Sequence, residues 1–219
     1  MEATCIIVCA GRFLGEAIEK KEGDLLIAAD NGLTYLSRQG LVPDLVIGDY
    51  DSLEEAGKRV LAAMQKDHPE QVITLPVEKD DTDTLAAVRE GLSRGYRSFV
   101  LYGALGGRLD HTMANLQTLN FIKDAGGNGE IREGDLSVFL VRNETVEIPA
   151  GPAGNFALFA VDPEIHGVTE RGMKYEANGL TITNRFPIGC SNHLFAEKKA
   201  SVTVEDGTAL AMLRRSVRG

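Results

Sequence analysis

Aspartates recur in two short segments whose spacing suits metal-ion chemistry. Asp49 and Asp51 are separated by one residue, and Asp80 and Asp83 have the i, i+3 spacing that places side chains on one side of a first helical turn. Carboxylates gathered in this way repel one another unless a cation lies between them. Oxygen ligands select Mg²⁺ or a similar ion, which takes its remaining ligands from waters and substrate phosphates. We therefore predict that these four aspartates bind Mg²⁺ and organise phosphate groups.

Each aspartate taken alone has a second explanation. Aspartate before a helix is often an N-cap or a partner of the helix dipole. Asp51, followed by Ser52, and Asp83 both suit such positions. Capping does not explain the clustering. Because Asp51 and Asp83 each keep a capping explanation, Asp49 and Asp80 are the stronger candidates for direct chemistry.

A glycine-rich segment at residues 103–108 provides a possible anion site. It lies between a predicted strand and a predicted helix, where backbone N–H groups and the helix N-terminus can hold an anion. Arg108 adds a forked donor for phosphate oxygens. The segment contains neither the G-K-[ST] of a Walker A loop nor the G-x-G-x-x-G dinucleotide spacing.

The bulk composition narrows the class of protein. A net charge of −9 argues against nucleic acid or an anionic membrane as the main partner. No apolar run approaches the roughly 18–20 residues of a membrane span, and the N-terminus lacks the basic region of a signal peptide. Three cysteines do not make a disulfide framework, so we expect reduced thiols in a cytoplasmic protein.

Two kinds of pattern divide the chain. Residues 1–142 alternate short apolar runs with helical periodicity, which predicts an α/β domain with a parallel sheet covered on both faces. Residues 143–219 show short β-like stretches punctuated by glycine and proline, which predicts a smaller all-β sandwich. The acidic segments, together with Asp30, follow predicted strands of the first domain, where open parallel sheets bind ligands.

The predicted elements of the two domains are as follows. The strands of the first domain are expected at 5–9, 24–29, 45–47, 72–75 and 98–102, and its helices at 33–39, 53–66, 82–94 and 108–123. The strands of the second domain are expected at 144–148, 155–161, 167–169, 180–183, 200–204 and 209–213.

Several of these segments resemble the motifs of the thiamine pyrophosphokinase family. They are GDYDS at 48–52, KDDTD at 79–83, GALGGRLDH at 103–111 with Asn115, GMKY at 172–175 and CSN at 190–192. Their order and spacing match over nearly the whole chain. The resemblance implies a Rossmann-like N-terminal domain, a C-terminal β-sandwich, and a homodimer with active sites at the subunit interface.

The resemblance also implies a reaction and residue roles. The hydroxyl of thiamine attacks the β-phosphorus of ATP, thiamine diphosphate forms and AMP leaves; catalysis of this kind is mostly positioning and charge neutralisation. Mg²⁺ is the implied cofactor. The implied ATP-binding residues are Asp30, Asn31, Lys79, Thr82, Arg108, Asp110, His111 and Asn115, and the implied thiamine-binding residues are Tyr175, Ser191 and Asn192.

The sequence leaves several alternatives open. It does not choose which aspartate takes the hydroxyl proton. Asp110 and Asn115 bind nucleotide or hold Arg108, His111 contacts a ligand or makes a structural hydrogen bond, and Tyr175 contacts thiamine or is a sandwich core residue. Two other functions compete: a pyrophosphokinase acting on another hydroxymethyl heterocycle such as a pterin, and a binding regulator without activity.

Overall fold

The computed structural model describes residues 3–78 and 80–215, which form two compact units. The N-terminal unit is Met1–Gly134 and the C-terminal unit is Asp135–Gly219. The predicted boundary between residues 142 and 143 falls inside a continuous strand, Leu136–Ile148. That strand pairs along its whole length with the last strand of the chain, so its first residues belong to the C-terminal unit. Lys79 lies outside the described residues.

The described part of the N-terminal unit is a parallel sheet with four helices. Its strands are β1 (Thr4–Val8), β2 (Leu25–Ala29), β3 (Leu45–Gly48), β4 (Val72–Thr74), β5 (Ser98–Tyr102) and β6 (Asn128–Glu133). The helices are α1 (Gly32–Arg38), α2 (Glu55–Asp67), α3 (Asp83–Ser93) and α4 (Leu109–Asp124), with a short 3₁₀ turn at Pro69–Gln71. The strand order is β6-β5-β1-β2-β3-β4, and each neighbouring pair is parallel.

Burial explains why the strands of this sheet can be predicted from the sequence. Every residue of β2 and β3 is buried, which is typical of strands covered on both faces. The predicted strands and helices of this unit are confirmed, with ends shifted by one or two residues. Strand β6 was not predicted because its sequence, NGEIRE, is polar; only Ile131 and Glu133 within it are buried.

The described part of the C-terminal unit contains six antiparallel strands and, within residues 135–215, no helix. They are β7 (Leu136–Ile148), β8 (Gly154–Ala160), β9 (Glu164–Arg171), β10 (Ala177–Thr183), β11 (Asn192–Leu194) and β12 (Ala200–Arg215). The two strands predicted at 200–204 and 209–213 are one strand, β12, interrupted by a register shift between Val204 and Thr208. The first part of β12 pairs with β9 and the second with β8.

Two sequence expectations concern membranes and thiols. None of the helices formed by the described residues combines the length and the apolar character needed to cross a bilayer. Cys5, Cys9 and Cys190 are free thiols. Cys5 and Cys9 lie in the core of the N-terminal unit, where burial raises the pKa of each thiol to about 12.

Candidate active site

A cleft of about 1030 Å³ opens at the carboxyl ends of the parallel strands in the N-terminal unit. Ligands of open parallel sheets bind at this edge, because the loops that leave the strands converge there. The loops after β1, β2, β3 and β5 and the segment before α3 all contribute lining residues. They include Gly11, Arg12, Asp30, Asp49, Asp51, Ser52, Asp81, Thr82, Asp83, Gly106, Gly107, Arg108, His111 and Asn115.

Three carboxylates, which we call the aspartate cluster, meet in this cleft. One oxygen each of Asp30, Asp49 and Asp51 lies within 4.8 Å of the others. Tyr50 has a φ of +65°, which turns the chain sharply between Asp49 and Asp51. The Tyr50 hydroxyl donates to the backbone carbonyl of Ile73 at 2.8 Å and anchors the turn. The local sequence therefore turns both aspartates toward Asp30.

Glycine at position 48 permits the close approach of the two loops. A Cβ on Gly48 would lie only 3.1 Å from the Cα of Asp30, which is closer than nine in ten of the contacts that real Cβ atoms make. The backbone N–H of Asp30 donates to the carbonyl of Ile47 at 2.9 Å, so the ends of β2 and β3 stay joined. The glycine at the start of the GDYDS segment thus has a packing reason as well as a place in the motif.

Asp30 is the most buried carboxylate of the aspartate cluster. Its residue is 8% exposed, and the Ser52 hydroxyl donates to its Oδ2 at 2.5 Å. Its Oδ1 is buried and has no hydrogen-bond partner among the described residues. Burial raises the pKa of Asp30, and repulsion from Asp83 and Asp49 adds to this, against the hydrogen bond from Ser52. A buried carboxylate oxygen without a donor is suited to receive a cation.

The structure regroups the predicted metal-binding residues. Asp30, predicted to bind ATP, joins Asp49 and Asp51. Asp83 lines the cleft and lies near enough to Asp30 to affect its pKa. Asp80 is exposed and is not among the described residues that line the cleft. The sequence-based preference for Asp80 over Asp83 therefore finds no support in the geometry.

Neither Asp51 nor Asp83 is an N-cap, although Asp83, in the first turn of α3, is placed as a partner of the helix dipole. Helix α2 begins at Glu55 with Glu54 in the cap position, so Asp51 does not cap it. Thr82 caps α3, since its hydroxyl accepts from the backbone N–H of Leu85 at 3.2 Å, and Asp83 is the first helical residue. Thr82 lines the cleft while its hydroxyl holds the start of this helix.

Side chains of the glycine-rich loop and of helix α4, which follows it, hold the loop in shape. The Asn115 amide, which is buried, donates to the backbone carbonyl of Ala104 at 2.7 Å. Arg108 donates to both oxygens of Asp110, at 3.1 and 2.5 Å. The hydrogen bond from Arg108 lowers the pKa of Asp110 to about 2. The structure shows Asp110 holding Arg108, which is one of the alternatives left open, and Asn115 holding the loop, which was not among them.

Two further predicted ATP-binding residues take local roles. His111 is exposed and lines the cleft, and its backbone N–H donates to Asp110 Oδ1 at 3.0 Å. Asn31 precedes α1 and makes no side-chain cap hydrogen bond. Its Oδ1 is buried without a hydrogen-bond partner in the described part of the chain. Asn31 is not among the described residues that line the cleft.

The C-terminal unit contains a separate pocket of about 180 Å³. Tyr175 and Asn192 line it, as predicted for neighbours of one ligand, and so does Glu170, which the sequence analysis did not single out. Tyr175 is 60% exposed, so the alternative that it is a core residue is wrong. Ser191 is exposed with a φ of +66° and is not among the described lining residues.

Asn192 organises this pocket. Its buried amide donates to Glu170 Oε2 at 2.7 Å and to the Tyr175 carbonyl at 2.8 Å, and its oxygen accepts from the Tyr175 N–H at 3.0 Å. Burial raises the pKa of Glu170, although the hydrogen bond from Asn192 opposes this. The alternating burial of β9 carries the signal for Glu170, because it faces inward with Val168.

Sequence and structure comparisons point to one family. A family model described as "Thiamin pyrophosphokinase, catalytic domain" matches residues 18–126. A curated thiamine pyrophosphokinase of Bacillus subtilis (strain 168) is 30% identical over 179 residues, which cover 79% of each chain.

Solved structures share the fold. A thiamine pyrophosphokinase structure from Bacillus subtilis superposes with a TM-score of 0.86 at 23% identity, covering 98% of this chain and 100% of the other. The yeast thiamin pyrophosphokinase structure gives a TM-score of 0.75 at 15% identity, covering 99% of this chain and 87% of the other. At these identities the structural likeness speaks for the fold.

Proposed function

Because the chain belongs to the thiamine pyrophosphokinase family, we propose that it transfers the pyrophosphoryl group of ATP to the hydroxyl of thiamine, giving thiamine diphosphate and AMP. The aspartate cluster at the carboxyl edge of the parallel sheet is the observation that carries this proposal. A protein that only bound nucleotide or thiamine would have little use for carboxylates brought this close together, since they destabilise the apo protein by mutual repulsion.

Mg²⁺ is the proposed cofactor, held by Asp30, Asp49 and Asp51. The donor set fits, because all three residues offer carboxylate oxygens, and Asp30 Oδ1 is buried without a donor among the described residues. When bound, the ion would neutralise charge on the phosphates of the nucleotide. This resolves how an acidic cleft can take an anionic substrate.

The remaining cleft residues are assigned to binding and proton transfer. The backbone N–H groups of the glycine-rich loop and the start of α4 suit phosphate oxygens, and Asn115 keeps the loop in shape. Arg108, oriented by Asp110, contributes positive charge at the mouth of the cleft. Asp83 lines the cleft outside the aspartate cluster, which makes it the candidate to accept the thiamine hydroxyl proton.

We assign the pocket of the C-terminal unit to thiamine. A cationic thiazolium favours an aromatic face and a carboxylate, and the pocket offers Tyr175 and Glu170. The assignment of Ser191 to thiamine binding rests on the family resemblance alone. The β-sandwich form of this unit is proposed on the same resemblance, with support from β12, which pairs with β7 along one edge and with β8 and β9 along the other.

A homodimer in the cytoplasm completes the proposal. Several large apolar side chains of the C-terminal unit are exposed, which supports a surface that a second copy covers. They are Leu180, Phe186, Ile188 and Phe195. Sedimentation equilibrium measures the oligomeric state directly, and a monomer at micromolar concentration would contradict the homodimer.

One assay tests the proposed activity. Purified protein is incubated with ATP, Mg²⁺ and thiamine, and AMP and thiamine diphosphate are quantified together. We expect the two products in equal amounts, and none when a chelator replaces Mg²⁺. AMP release with a pterin alcohol but not with thiamine would favour the competing pyrophosphokinase. Binding of ATP without turnover of either acceptor would favour a regulator.

A further inference from the structure

Arg12 lines the cleft but lies outside every segment that resembles the family motifs. Its side chain is 63% exposed, and its Nε donates to Glu133 Oε1 at 2.9 Å. Glu133, the last residue of β6, is only 8% exposed. An exposed guanidinium is thus held by a buried carboxylate at the same edge of the sheet as the aspartate cluster.

The backbone around Arg12 is fixed against the glycine-rich loop. The N–H of Arg12 donates to the carbonyl of Leu105 at 2.9 Å, and the N–H of Gly11 donates to the carbonyl of Gly103 at 2.8 Å. A Cβ on Gly11 would lie 2.5 Å from that carbonyl oxygen, so only glycine allows the approach. The backbone at Arg12 is therefore held in a fixed position relative to the proposed phosphate-binding loop.

The two arginines that line the cleft, among the described residues, differ in how many donors they have committed. Arg108 already gives two nitrogens to Asp110. Arg12 gives Nε to Glu133, and its two terminal nitrogens make no hydrogen bond to the described part of the chain. A guanidinium held in this way presents its remaining donors in a fixed orientation, which suits bidentate contact with phosphate oxygens.

We infer that Arg12 is a phosphate-binding residue, which contacts the polyphosphate of the nucleotide through its terminal nitrogens, and that Glu133 is the positioning residue that orients it. This inference rests on the proposed function, because it takes ATP as the substrate. The competing explanation is structural: Arg12 would only tie the loop after β1 to the end of β6.

Binding of inorganic pyrophosphate in the presence of Mg²⁺, measured by calorimetry, separates these explanations. We expect Arg12→Ala to weaken binding roughly ten- to hundredfold, the loss typical of a charge-assisted hydrogen bond. Arg38→Ala is the matched control, since Arg38 is an exposed arginine of the same unit, paired with Glu54 and outside the cleft. Unchanged affinity in Arg12→Ala, or an equal loss in Arg38→Ala, would overturn the inference.

Two more variants keep the test informative if Arg12→Ala folds poorly. Arg12→Lys retains the charge but cannot bind Glu133 and phosphate with the same fork, so we expect an intermediate loss of affinity. Glu133→Gln leaves the guanidinium but weakens its orientation, so the KM for ATP should rise while the KM for thiamine stays the same. A change in melting temperature with no change in either quantity would show a purely structural role.

The outcome is separable from that of the proposed function. Wild-type protein that binds pyrophosphate in an Arg12-dependent way but forms no thiamine diphosphate would refute the thiamine assignment and leave the phosphate-binding role standing. Conversely, full turnover by Arg12→Ala with an unchanged KM for ATP would refute the role of Arg12 alone.

Discussion

The two units of the chain differ in how they arrange the carboxylates of their sites. In the cleft of the N-terminal unit, three aspartates bring their oxygens within 4.8 Å of one another, and one oxygen of Asp30 has no donor among the described residues. In the pocket of the C-terminal unit, the buried carboxylate of Glu170 accepts a hydrogen bond from the amide of Asn192.

This difference bears on the proposal that the aspartate cluster binds Mg²⁺. In the aspartate cluster, Asp30 Oδ1 has no hydrogen-bond donor among the described residues, and a cation would complement its charge. Glu170 has an amide partner and, among the described residues, lies outside any carboxylate cluster, and burial raises its pKa, so its charge depends on pH. Three substitutions test the comparison, in order of decreasing expected effect.

The largest effect is expected at Asp49. Asp49→Asn removes a charge from the aspartate cluster and should lower kcat by about a hundredfold or more, the scale seen when a group that stabilises transition-state charge is lost. Asp80→Asn is the matched variant, because Asp80 is exposed and lies outside the described lining of the cleft. We expect its kcat to stay within about threefold of wild type, as for a surface charge.

Steady-state turnover of both variants, with circular dichroism as the control for folding, decides between two groupings. An equal and large loss at both positions would restore the grouping that the sequence suggested, in which Asp80 belongs with Asp49. A large loss at Asp49 alone would support the grouping with Asp30.

A smaller effect is expected at Tyr175. Because Tyr175 is 60% exposed at the rim of its pocket, Tyr175→Ala should fold normally. It should raise the KM for thiamine about five- to tenfold, the size of a cation–π contact, with kcat and the KM for ATP little changed. An unfolded variant, or a change confined to the KM for ATP, would contradict the assignment of this pocket to thiamine.

The smallest effect is a pH-dependent change in stability at Glu170. Burial raises its pKa in the folded protein, so its contribution to stability is complete below the unfolded value of 4.5 and is lost as pH rises through the folded pKa. Glu170→Gln keeps a carbonyl to accept from Asn192 and carries no charge. It should melt about 2 °C or more above wild type at pH 8, and the difference should vanish below pH 4.5.

Glu147→Gln provides the control for this measurement, since Glu147 is an exposed glutamate on β7 of the same unit. Its melting temperature should equal that of wild type at both pH values. A difference for Glu170→Gln that persists at low pH would mean that packing, rather than ionisation, sets its effect.

Most of the fold could be predicted from local patterns. Fully buried strands such as β2, with sequence LLIAA, are indicated by their apolar composition, and helices such as α2 by the periodic spacing of their apolar residues. Strand β6 could not be predicted, because its polar residues give no such pattern. The continuity of β12 was also hidden, since Gly207 and its neighbours look like a turn but form a bulge within one strand.

The candidate site was predicted in part. The sequence identified Asp49 and Asp51 because they lie close along the chain, and the spacing of the motifs identified Arg108. It paired Asp80 with Asp83 by their i, i+3 spacing and placed that pair with Asp49 and Asp51 because both segments follow predicted strands. It missed Arg12 and Glu133, which meet only because β1 and β6 end at one edge of the sheet.

The sequence by itself determined the residue types at the strand ends, the family motifs and the acidic charge that calls for a cation. The tertiary structure alone decided which carboxylates come together. Parallel strands bring distant loops to one edge, and there Gly48 lets the loop after β3 pack directly on Asp30. Because of this packing, Asp30 lies beside Asp49 and Asp51 in space although it is distant from them along the chain.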